Sequence, residues 1–196
     1  MIIPSITSID KHGREHFDIL SSEFMKHRKI YLTGEIDDKL ATITIAQIEH
    51  LDRQNSNDIT MYINSPGGSI PSGLAIMDAM NRSDSDIVTV CTGMAASMGA
   101  FLTACGTKGK RYITPHADMM IHQPLLGGAA GQASDIERIA KRIMKLKENL
   151  NKILSEKTGQ DLETITTDSD RDFYMNATEA INYGLVDKML DADTQI

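Results

Sequence analysis

Ser97 stands in Gly93-Met94-Ala95-Ala96-Ser97-Met98-Gly99, between tiny residues and just ahead of an apolar helical run. A serine inside a regular element bonds its own backbone. A serine at a strand-to-helix turn points outward, and the free N–H groups of the helix start can bind a developing oxyanion. The pattern is that of a nucleophile. It is not a strict G-x-S-x-G elbow, because Ala95 stands where a glycine belongs. His122 closes the run Ala117-Asp118-Met119-Met120-Ile121-His122-Gln123-Pro124. A histidine ending an apolar strand before Pro and Gly-Gly suits a site at the C-terminal edge of a sheet. It is the candidate base, set against the plainer role of a core histidine. The histidines at 12, 16, 27, 50 and 116 lie in polar stretches without metal-ligand spacing, so no metal site is expected. The orienting acid stays open. Asp168, Asp170 and Asp172 cluster in one charged stretch, and spacing does not choose among them.

Ser65-Pro66-Gly67-Gly68-Ser69 follows an apolar run. Its glycines permit close backbone approach. It lacks the Walker lysine and the dinucleotide fingerprint. It reads either as a plain turn or as a backbone N–H aimed at an oxyanion.

The elements that must position these residues alternate. Residues 1–17 read as an extended arm and 18–27 as helical. Lys29–Thr33, Ile59–Asn64 and Ile87–Cys91 read as strands, with short strands at Arg111–Ile113 and Ala117–His122. Helical spacing covers 37–53, 71–82 and 97–105. The βαβα order predicts an α/β fold with a mostly parallel sheet and helical crossovers. Ser134-Asp135-Ile136-Glu137 has the form of a capping box, and its helix runs to about Lys157 before Gly159. Ile136, Ile139, Ile143, Leu146, Leu150 and Ile153 step by three and four, a heptad seam. About 24 residues at 1.5 Å span about 36 Å, long for one crossover. The seam either covers the sheet or projects to meet another subunit.

The chain has 196 residues, the size of a single domain, and 41% hydrophobic content argues against disorder. A net charge of −7 disfavours a nucleic-acid partner. Cys91 and Cys105 sit in apolar surroundings and read as reduced core residues. No apolar run is long enough to span a membrane, and the N-terminus lacks the pattern of a signal peptide, so a cytoplasmic protein is expected.

Taken in order, Tyr62-Ile63-Asn64-Ser65-Pro66-Gly67-Gly68-Ser69, the Ser97 stretch, Met120-Ile121-His122-Gln123-Pro124, Gly131-Gln132-Ala133, Asp170-Arg171-Asp172 and Tyr183-Gly184-Leu185-Val186-Asp187 resemble the proteolytic subunits of the Clp protease. This is the ClpP family, serine peptidases of the crotonase-like superfold. The resemblance runs from about Pro4 to Leu190. It implies the ClpP fold of repeated β/α units, with a head domain and a projecting handle helix. On that basis residues 1–17 form an axial arm and 18–196 one peptidase domain, with the handle at about 123–158. The resemblance implies Ser97 as nucleophile, His122 as general base and Asp172 as orienting acid. It implies the backbone N–H groups of Gly68 and Met98 as the oxyanion hole. Gly127 and Gly128 match the strand along which substrate lies. Asp170, Arg171 and Gln132 match oligomer contacts, and Tyr62 and position 82 match the face that docks an ATPase.

The implied activity is endoproteolysis of unfolded polypeptides inside a chamber of two stacked heptameric rings, 14 subunits in all. A Clp/AAA+ unfoldase such as ClpX, ClpA or ClpC feeds the chamber. No cofactor is implied for this chain, since ATP is used by the partner. Two positions depart from the pattern: Thr60 and Arg82 stand where apolar or aromatic residues are usual. Arginine in an apolar pocket is costly unless its charge stays wet. Altered unfoldase docking follows, as would service beside a second ClpP paralogue in a mixed ring. Two other classes compete. Acyl-CoA hydratases and isomerases share the superfold, although this chain has no basic cluster for their nucleotide. An inactive ring subunit would only scaffold an active partner.

Overall fold

The computed structural model describes residues 5–9, 11–13, 15–19, 24–125, 127 and 131–191. Near the N-terminus, β1 (Ser5–Ile9) and β2 (Glu15–Ile19) form an antiparallel pair, Ser5 opposite Ile19. This differs from the helical expectation over 18–27: residues 18 and 19 belong to a strand, and only residues 24–26 are helical within the described part.

The body is an α/β unit. Its strands are β3 (Lys29–Thr33), β4 (Ile59–Ser65), β5 (Ile87–Ala96), β6 (Arg111–Ile113), β7 (Asp118–Ile121), β8 (Phe173–Asn176) and β9 (Lys188–Met189). They join in the order β3-β4-β5-β6-β9, with β7 on β5 and β8 on β7. All pairings in this sheet are parallel except β7 with β8. Strands buried on both faces read as unbroken apolar runs. Accordingly Ile59, Met61 and Ile63 of β4 are fully buried, as are Val90 and Cys91 of β5.

Helices cover the sheet. They are α1 (Asp38–Asp52), α2 (Ile70–Arg82), α3 (Met98–Ala104), α4 (Ala133–Thr158), α5 (Leu162–Asp168) and α6 (Ala177–Tyr183). The side chain of Asp37 caps α1 by accepting from Leu40 N–H at 2.7 Å, and Ser69 caps α2. A buried ion pair ties the far side of the sheet together. Arg111 donates to both carboxylate oxygens of Asp187, at 3.0 and 2.6 Å, and to the carbonyls of Ala104 and Lys157.

Two features bear on the site. First, β5 is ten residues long, where sequence suggested five. Its first half pairs with β6, and its second half, Met94–Ala96, pairs with β7. The Asn64 side chain accepts from Met94 N–H at 3.3 Å and carries the strand past Gly93. Second, α4 has 26 residues, about 39 Å at 1.5 Å each. It begins at Ala133, not after a Ser134 cap: Gln132 is the N-cap, and no side chain caps it. The expected capping box does not form, because the backbone carbonyl of Gln132 already accepts from Asp135 and Ile136. Gly159 closes the helix in the left-handed conformation, φ 83°. Of the heptad seam only Leu150 is buried, while Ile136 is 40% exposed. The last turns of α4 lie on the body, and the rest extends beyond it.

Candidate active site

Ser97 stands where β5 gives way to α3. Its backbone is held at φ 54°, ψ −121°, a region that non-glycine residues rarely occupy. Three contacts fix it. Its N–H donates to the carbonyl of Met120 at 2.8 Å, and its carbonyl accepts from Phe101 N–H at 3.0 Å. Gly67 lies so close that a Cβ there would stand 2.7 Å from Ser97 Cβ. The hydroxyl makes no capping bond to the helix it begins, which leaves it available to the cleft.

The glycine loop is strapped to the same place. Ile36 N–H donates to Gly67 O at 2.8 Å, and Ser69 N–H donates to Ile36 O at 2.7 Å. Gly68 is the bridge partner of Ile36. Since its neighbours make both bonds to Ile36, the N–H of Gly68 points to the opposite side of the strand. The buried Ser65 hydroxyl donates to Gly34 O at 2.6 Å and accepts from Gly67 N–H at 3.1 Å, which locks the entry to the loop. Met98 N–H, first in α3, has no acceptor one turn back. Among the described residues neither the Gly68 nor the Met98 amide donates a hydrogen bond. The Met98 side chain is buried against Gly73 of α2, so only its backbone serves the cleft.

Sheet register brings the base to the acid. Ile121 opposes Phe173 at the end of the antiparallel β7–β8 ladder, so His122 and Asp172 are the next pair. His122 Nδ1 lies 3.4 Å from Asp172 Oδ1. That is ion-pair reach, longer than the usual hydrogen bond. No hydrogen bond joins His122 to Ser97 among the described residues, although both line one cleft. The other two acids of the cluster are engaged elsewhere. Asp168 accepts from the Tyr183 hydroxyl at 2.9 Å, and burial raises that phenol's pKa. Asp170 accepts from Gln123 Nε2 at 3.2 Å and from Arg171 at 3.1 Å. Lys147 of α4 reaches both Gln123 Oε1, at 2.9 Å, and Asp170, at 3.4 Å. Sequence reasoning did not single out Lys147. It links the long helix to residues flanking His122 and Asp172, and only the folded chain reveals that. The thiols of Cys91 and Cys105 are pushed up to about 12 by burial, which makes them poor nucleophiles.

A cleft of about 590 Å³ opens over Ser97 and His122. Gly68 and Ser69 form one side, and Ile139, Arg142, Ile143 and Leu146 of α4 form another. A smaller apolar hollow lies beside Ser97, walled by Phe101, Leu150 and Leu154. Gly127 is exposed and lies in a bend, and Gly128 is outside the described residues. Gln132 is exposed at the start of α4. Arg171 is 84% exposed beside Asp170. Away from the cleft lining, Tyr62 stacks on Tyr31 with ring centroids 5.0 Å apart. Arg82 lies in a separate groove between α1 and α2, paired with Glu49 at 3.2 Å. Its side chain is 69% exposed, so its charge stays wet. Thr60 is buried. No helix among the described residues is long and apolar enough to cross a membrane.

This arrangement fits acyl transfer: a serine held in a strained turn, an imidazole with a carboxylate behind it, and two unused amides on either side of the serine. A family model described as Clp protease matches residues 11–193.

Proposed function

The chain belongs to the Clp protease family, and from that premise we propose that it is a serine endopeptidase in which Ser97, His122 and Asp172 act together. Its proteolytic role and its place among serine-protease-like hydrolases follow from the family. The assignment of the three residues rests on one observation above all: the register of β7 and β8 sets Asp172 behind the Nδ1 edge of His122. That leaves Nε2 for the serine. His122 takes the Ser97 proton as Oγ attacks the peptide carbonyl, and returns it to the leaving amine. Asp172 fixes the tautomer and stabilises the imidazolium. The Gly68 and Met98 amides receive the oxyanion, a contribution worth roughly 3–4 kcal/mol per donor in comparable sites. The apo distances are long, as is usual before substrate tightens such a site. The acyl-CoA reading loses its support with the family match.

The assembly belongs to the same proposal. Residues 18–196 form one peptidase domain behind an axial arm, and the handle is the segment around α4. Handles interlock two heptameric rings into a chamber, with Asp170, Arg171 and Gln132 near the contact. The exposure of α4 supports this, since Ile136 of the seam and Met144 next to it are 40% and 55% exposed. A Clp/AAA+ unfoldase docks on the Tyr62 face, where Arg82 changes the chemistry, and a second paralogue completes some rings. A chamber and a separate ATPase suit a peptidase that holds its substrate mainly through backbone bonds at Gly127 and Gly128. The test is hydrolysis of a short fluorogenic peptide by the pure protein and by Ser97→Ala. Turnover lost in the variant supports the reading, and turnover retained removes Ser97 from its role.

A further inference from the structure

Among the described residues, Arg142 is the one fixed charge in the lining of the cleft that holds Ser97 and His122. It is exposed, and among the described residues it makes no hydrogen bond or ion pair. Its own helix explains why. The positions that could neutralise it at helical spacing are Arg138, Ile139, Lys145 and Leu146, none of them acidic. Of the other acids in α4, Asp135 pairs with Arg138 at 3.9 Å and Glu137 with Lys141 at 2.6 Å, while Glu148, six residues on, falls outside the three- and four-residue spacing that would set it beside Arg142. The chain carries −7 overall, yet this cleft wall presents an unanswered guanidinium.

We propose that Arg142 is a specificity-determining residue that selects substrates with an acidic side chain near the cut bond; the inference rests on the reading of Ser97 as nucleophile. The occupied position follows from the two hollows. Beyond Ser97 and His122 themselves, the small space by Leu150 and Leu154 offers only apolar walls and Asn151. A residue lying in the broad cleft meets Arg142 beside Ile139 and Ile143. The acidic preference therefore belongs to the residues that lie in the broad cleft. A planar guanidinium can hold a carboxylate with two parallel bonds, which lysine cannot do.

The experiment uses quenched-fluorescence peptides in pairs that differ only by Glu against Gln, scanned across positions on both sides of the cut. The expected kcat/KM ratio at one of them is about two- to fivefold in favour of Glu at low salt, the worth of an exposed ion pair. The ratio falls toward one as salt screens the pair. In Arg142→Gln the ratio is one at every position. In Arg142→Glu it inverts, and a Lys peptide becomes the better substrate. A ratio of one in the unaltered protein at every position overturns the inference, as does a Glu preference that survives Arg142→Gln. Cleavage of neutral and acidic peptides alike thus removes Arg142 while leaving Ser97 in place. Failure to cleave any peptide, with Ser97 unreactive, overturns both.

Discussion

His122 and Asp172 are cross-strand neighbours one step past the end of the β7–β8 ladder, with Nδ1 and Oδ1 3.4 Å apart. Backbone pairing, rather than a tight side-chain bond, sets them face to face. The carboxylate is half-exposed while the imidazole is nearly covered, so Asp172 acts on the tautomer of His122 and does not line the substrate cleft. Asp172→Asn should lower kcat by about 10³- to 10⁴-fold, as spoiling the tautomer does in comparable triads. KM should change little. Steady-state kinetics on one peptide checks this, and a loss confined to KM would argue against the role.

Gly67 carries a prediction of a different kind. It sits at φ 94°, and a Cβ there would crowd Ser97 Cβ, Ala96 O and Met98 N at 2.7, 2.8 and 3.0 Å. Those neighbours are backbone or a strained serine, so they have little room to move. Gly67→Ala should shift the serine and the adjoining amides together. Displacements of about 1 Å at such a site cost on the order of 10²-fold in rate. Peptidase assay alongside circular dichroism separates this from unfolding.

Stability should respond to acid through two carboxylates. Burial opposes the charge of Asp187, but the hydrogen bonds of Arg111 outweigh it and hold its pKa below the ordinary value. Burial likewise opposes Asp52, and hydrogen bonds from Ser83 and Ser85 bring it down to about 2. Groups depressed by folding stabilise above their unfolded pKa, near 3.9, and lose that contribution as pH falls through the folded value. The urea midpoint should therefore hold between about pH 7 and 5 and decline below about pH 4. Asp187→Ala leaves the buried Arg111 charge without its partner and should cost about 3–5 kcal/mol at neutral pH.

The exposed stretch of α4 predicts assembly. Ile143 lies on the seam, half-buried in the lone chain. Ile143→Asp should place a charge in whatever the seam meets and reduce the sedimenting particle to half its size. An unchanged sedimentation coefficient would mean that the seam serves only its own chain. Ile143 also lines the cleft, so the readout is size rather than activity.

Legibility differed from element to element for physical reasons. The Ser97 turn and the seam are local patterns, and the small residues before Met98 and the three-four spacing show them directly. Spacing alone does not choose Asp172 over Asp168 and Asp170, and the family resemblance is needed, because the choice depends on a β7–β8 register that no local spacing encodes. The strand at Glu15–Ile19 was missed for the same reason, since its pairing with Ser5–Ile9 decides its conformation. The start of α4 lies two residues before the expected one, because Gln132 takes the cap position that the sequence pattern assigns to Ser134. Arg142 shows its missing acidic neighbours in the sequence, but only the fold turns it toward the cleft.

The central claim is that Ser97 is a poised nucleophile rather than a strained bystander. A fluorophosphonate reacts with serines whose proton is being removed by a base and whose oxyanion is received by donors. Intact-protein mass spectrometry followed by peptide mapping should find one adduct per chain, on Ser97. His122→Ala should abolish it, and Asp172→Asn should slow it. An unmodified Ser97 in the assembled protein, or an adduct that survives His122→Ala, would contradict the account.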